Sequence, residues 1–152
     1  MKYIKLFEEM SAQLKGEMYE NLIKGILKSE DNVFHLSFTY IDNYLNTILQ
    51  AIDDAQATWG VVNYSADRIY KLRRKDIIII DNIKNSVGSQ LEILQHIVTN
   101  PQQKFIILTH EYTNGIYHHV SKLIDEIKTA QKVVELDMSK DAQFNYIQNI
   151  NK

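Results

Sequence analysis

Arg73 and Asp76 stand three residues apart in RRKDIIIIDNIKN (73–85), a spacing that on a helix makes the two side chains face each other. Such a pair has two readings. It is a structural ion pair, or it borders an interior polar pocket in which Arg73 holds an anion or a ligand carboxylate. Burying a guanidinium costs several kcal/mol unless it is paired, and Asp76 already supplies a partner. A second group is HEYTNGIYHH (110–119), with three histidines and Glu111. The H-E-x-x-H zinc spacing fails because Asn114 stands where the second histidine belongs, and His110 and His119 fall on different helical faces. No metal site is expected. His119 is then a hydrogen-bonded core histidine or a polar donor in a pocket. No serine, histidine and acid stand in a nucleophile motif, so no catalytic residue is assigned.

The elements that would position these residues read as helices. Residues 2–28 carry a stripe that shifts across Gly16, which predicts a break there. A long helix over about 32–57 has Phe34, Phe38, Ile41, Leu45, Ile48 and Ile52 at steps of four and three, bordered by Tyr44. Ser65-Ala-Asp opens a helix over about 66–86, with Ile69, Leu72, Asp76, Ile80, Ile83 and Val87 on one side. A short helix, 90–99, turns Leu91, Leu94 and Val98 inward. Asn100-Pro101 starts the next one, with Phe105, Leu108, Tyr112, His119 and Leu123 on one face.

The run IIIID (77–81) has a rival reading as a buried strand ending in an acid, with FIILTH (105–110) as its neighbour. That is the form of a P-loop ATPase core, in which the acid binds the metal. Three observations weigh against it. The phosphate loop G-x-x-x-x-G-K-[ST] is absent, two strands make no viable sheet, and the flanks continue the helical period. The expectation is therefore a helix at 77–81 and an all-α bundle, one domain over 1–152.

Composition narrows the function. The chain has 152 residues, a formal net charge of −2 and a pI near 6.2, so no basic excess points to nucleic acid. Cysteine is absent, which excludes thiol catalysis and thiolate metal sites. No apolar run reaches the ~18 residues of a membrane span, and the N-terminus is too charged for a signal peptide. A cytoplasmic protein is expected. One proline and five glycines are too few for the turns of an all-β fold.

The opening KLFEEMSAQLKGEMYENLIKGILKSEDNVFHLSFTYIDNYL, the Ile/Asn/Lys-rich character and the spacing His96-x4-Pro101 together resemble the haem-free, globin-like sensor-domain proteins of spore-forming bacilli. Those proteins are similar to the N-terminal sensor domain of a sporulation histidine kinase and inhibit sporulation. The resemblance implies a globin-like bundle, a fatty acid as ligand, a polar chamber able to hold chloride, and a kinase whose signal the protein titrates. His96 lies off the inward line of its helix, so haem is not expected. Helix faces assign the lining of a fatty-acid tunnel to Phe38, Ile41, Leu45, Ile69, Leu72, Ile80, Phe105, Leu108 and Tyr112. Arg73, with Tyr44 and His119 as donors, would hold the carboxylate or the chloride. Two alternatives stay open: a helical interaction module without a small ligand, and a haem sensor centred on His96. A homodimer through the doubly apolar 101–135 region is also expected.

Overall fold

The computed structural model describes residues 16–39, 43–63, 66–81, 87–111 and 118–138. It is an α/β fold, and the expectation of an all-α, globin-like bundle is overturned. Five strands form one sheet: β1 (Val33–Thr39), β2 (Trp59–Asn63), β3 (Ile77–Asp81), β4 (Lys104–Glu111) and β5 (Val134–Asp137). Their order is β2-β3-β4-β1-β5, and every neighbouring pair is parallel. The connections carry α2 (Tyr44–Asp54), a 3-10 segment (Ala66–Leu72), α3 (Val87–Thr99) and α4 (His118–Ala130), while a helix over 16–28, α1, precedes β1.

The four isoleucines explain why a strand wins at 77–81. Parallel sheets are covered on both faces, so their inner strands read as unbroken apolar runs rather than alternating ones. Ile77 and Ile79 enter one core with α1 and α2. Ile78 and Ile80 enter a second core with the 3-10 segment, α3 and α4. All four are buried, each contributing about 2 kcal/mol. The rest of the expected helix dissolves accordingly. Arg73 and Asp76, placed near the centre of an apolar stripe, are exposed in the turn before β3.

The same correction applies to the expected helices over 32–57 and from Pro101 onward. Phe34, Leu36 and Phe38 alternate along β1 into the first core. A spacing of four fits a strand as well as a helix, and Leu36 between the two phenylalanines marks the period of two. Pro101 lies in a turn, followed by β4. The short helix expected at 90–99 is present within α3, but its faces are reversed. Ile93, His96 and Ile97 are buried, whereas Leu91 and Val98 are 56% and 52% exposed.

The amino ends of the strands are tied together by polar side chains. Gln103 is buried and donates from Nε2 to Leu72 O (3.0 Å) and Lys75 O (2.9 Å). That leaves its Oε1 as the acceptor for His96 Nε2 at 3.2 Å. Lys104 Nζ donates to the carbonyls of Ser29 and Asp31, fixing the entry of β1 to that of β4. Asp76 Oδ2 accepts from Thr58 N (2.8 Å) and Thr58 Oγ1 (3.0 Å), which pins the entries of β2 and β3 in register. An Arg73–Asp76 ion pair, one of the two readings of that spacing, is not among the ion pairs of the described residues.

Candidate functional site

In an open parallel sheet, ligands bind outside the carboxyl ends of the strands, where two neighbouring strands send their connections to opposite faces. Here those neighbours are β1 and β4. From β1 the chain passes through α2 on the first face to β2, at the far edge. From β4 it passes through α4 on the second face to β5, beyond β1. The crevice between them is bordered by the ends of β1 and β4, where Thr39 pairs with Glu111, and by Asp81 at the end of β3.

Asp81 is the chemically distinctive group. Alternation along β3 turns it to the face of α2, beside Leu108, its register partner on β4. A carboxylate at this place in a parallel sheet could bind a metal ion or orient a water. It is only 5% exposed, and Tyr44 Oη donates to its Oδ1 at 2.9 Å. Tyr44 is the first residue of α2, and its ring packs on Phe38 of β1 with centroids 5.1 Å apart. The phenol thus bridges from β1, on which its ring packs, to the acid on β3, with β4 lying between the two in the sheet. The residue before it, Asn43, adopts φ 57° and ψ 27°, the left-handed conformation that asparagine tolerates, and this sets the sharp entry into the helix. The first turn of α2 reads Tyr44-Leu45-Asn46-Thr47, with no glycine and no lysine.

A hydroxyl–imidazole–carboxylate chain lies elsewhere in the sheet. His35 Nε2 is 2.8 Å from Thr109 Oγ1, and its Nδ1 is 3.8 Å from Glu135 Oε1. Burial holds the His35 imidazole below its ordinary pKa, against the pull of Glu135. Glu135 is itself bonded to Lys128, which lowers its carboxyl. The carboxylate is therefore shared with a lysine and too far from the ring to fix it as a catalytic base requires. This chain joins β1, β4, β5 and α4 as a structural link.

The sheet separates most of the residues assigned to a tunnel. Phe38, Tyr44, Leu45 and Leu108 belong to the first core, whereas Ile69, Leu72, Ile80 and Phe105 belong to the second. They do not line one cavity. Arg73 borders a separate cleft of about 460 Å³ at the amino edge, with Lys75, Asn100, Pro101 and Lys104. Ile41 and Tyr112 lie outside the described residues, as does the side chain of His119. Of the expected polar donors, Tyr44 does meet a carboxylate, but it is the protein's own Asp81. Asp81 had been legible as the acid closing IIIID. Gln103 gave no signal, since one glutamine in a polar turn carries no period.

No family model matches the chain, and no curated protein is similar enough to it to count as a match. Among the described residues, no helix is long and apolar enough to cross a membrane.

Proposed function

We propose that this protein is built on the plan of a P-loop nucleotide hydrolase with its phosphate site closed, and that it acts as a binding module rather than an enzyme. The observation that carries the reading is the bond from Tyr44 to Asp81 across the crevice. In such hydrolases the strand–loop–helix after β1 supplies a glycine cradle and a lysine for the phosphates, while an acid on another strand holds magnesium. In this chain the acid is in place, but the helix that should bring the lysine brings a phenol onto the carboxylate. The fold-level likeness suggests ancestry of the plan and not the activity, which belongs to the missing loop. Fatty-acid sensing and titration of a sporulation kinase required one apolar tunnel, and with the candidate lining divided by the sheet no observation favours them.

The test is isothermal titration of the purified chain with ATP and ADP in magnesium, alongside an assay for released phosphate. The expected result is no binding heat at millimolar nucleotide and no turnover. Micromolar affinity, with phosphate release abolished in Asp81→Asn, would overturn the proposal.

A further inference from the structure

Leu91, Leu94 and Val98 repeat at three and four residues along α3, the spacing of a coiled-coil seam. The opposite side of α3 is sunk in the second core through Ile93 and Ile97. The seam therefore faces outward: Leu91 is 56% exposed, Val98 52%, and Leu94 is partly buried. Tyr70 of the 3-10 segment, 53% exposed, is a further exposed apolar side chain beside α3, with its ring 5.7 Å from the buried His96. Large apolar side chains gathered on one helix face, with an inner face already satisfied, mark a surface that another body covers.

We propose that α3 is the contact face of a twofold homodimer, pairing antiparallel with α3 of a second copy. Two features select a copy of the same chain. The seam is nearly symmetric about the point between Leu94 and Gln95, so an antiparallel partner sets Leu91 against Val98 at both ends and brings the two Leu94 side chains together at the axis. Its charges also complement themselves. Glu92 lies near the start of α3, while Lys71 follows Tyr70 on the segment that packs beside His96 near its end. In the antiparallel pairing, Glu92 of one copy falls opposite Ile97 of the other, on the side of that copy's Lys71, and the contact occurs twice. One surface carrying both signs fits the isologous contact of a twofold dimer. A membrane or a polyanion would call for one sign.

The seam from Leu91 to Val98 spans about 10 Å of the 13-residue helix, so the dimer belongs to the small, exchanging class and forms with rising concentration. The proposal deepens the binding-module reading by naming a partner. Nucleotide titration reads the crevice and sedimentation reads the seam, so either can fail alone.

Sedimentation velocity from low micromolar to near-millimolar protein should show a mass moving from one chain towards two. Leu91→Glu combined with Val98→Glu should weaken association by at least about tenfold while the melting curve, read at low concentration, stays in place. Lys71→Glu and Glu92→Lys should each weaken the dimer, and the double reversal should restore it. The natural chain has no cysteine, so Gln95→Cys provides a single thiol beside the axis. A short bismaleimide should join two chains there but not through Asp125→Cys on α4. A mass of one chain at every concentration, or a dimer unaffected by the paired glutamates and cross-linked only at residue 125, would overturn the proposal.

Discussion

At the scale of single residues, Tyr44 and His35 make the sharpest demands. Tyr44→Phe keeps the ring on Phe38 and removes only the hydroxyl bonded to Asp81. A buried carboxylate that loses a donor should cost about 1–3 kcal/mol, read as a lower denaturant midpoint with an unchanged slope. A midpoint equal to that of the natural chain would mean that the bond contributes nothing to closing the crevice. His35 sets a pH window. Its folded pKa lies below the ordinary 6.5, so the unfolded chain binds the proton more readily. Stability is then complete above 6.5 and falls as the pH drops below it towards the folded value. The melting temperature should decline on acidification from neutrality, and His35→Gln should flatten that decline. An imidazole resonance titrating at or above 6.5 in the folded protein would contradict the sign.

At the scale of elements, the close packing of β2 against the 3-10 segment is decisive. A Cβ built on Gly60 would meet Leu72 Cδ2 at 2.5 Å and Cδ1 at 2.8 Å, so with Leu72 in its present position the strand has room only for hydrogen there. Leu72 is partly buried against the second core, so making room for a methyl means displacing a packed side chain. Gly60→Ala should therefore cost about 1–3 kcal/mol, and Gly60→Ala with Leu72→Ala should recover part of it. Additive losses in the double variant would show that the two residues do not interfere. This element also shows why the fold was only partly legible. Two strands alone would make no viable sheet, but VFHLSFT and WGVVN are strands as well. The first hid because Phe34 and Phe38 suit two periods. The second hid because five residues, just past the helix end expected near 57, carry too little pattern to separate strand from helix end. Scarce proline excluded an all-β fold correctly but says nothing against α/β. Asp81 was readable as a strand-terminal acid. The phenol that covers it was not, because its partner stands 37 positions away and contact across a sheet leaves no local spacing.

At the scale of the molecule, two cores share one sheet. Ile52 lies in the core of α1 and α2, Ile127 in that of α3 and α4, and both are fully buried. If the sheet couples the two sides into a single cooperative unit, removing one methyl from either should lower the whole protein's stability. Ile52→Val and Ile127→Val should each cost about 0.5–1.5 kcal/mol, and the double variant should lose the sum, because the two residues belong to separate clusters on opposite faces of the sheet. Hydrogen exchange reads where the loss is felt. The amides of β3 and β4, bonded on both sides within the sheet, should open only by global unfolding, and each variant should speed their exchange by the factor its own stability loss implies. Amides of β2 and β5, at the two edges, should exchange sooner and respond less. The contrary outcome is equally concrete: if Ile52→Val loosened α1 and α2 while β3 and β4 kept their protection, the faces would be independent units and the sheet a partition between them. The unbroken isoleucines of β3 argue for coupling. Each strand residue that anchors one core is covalently next to a residue anchoring the other, so neither core can lose its wall without the other losing its own.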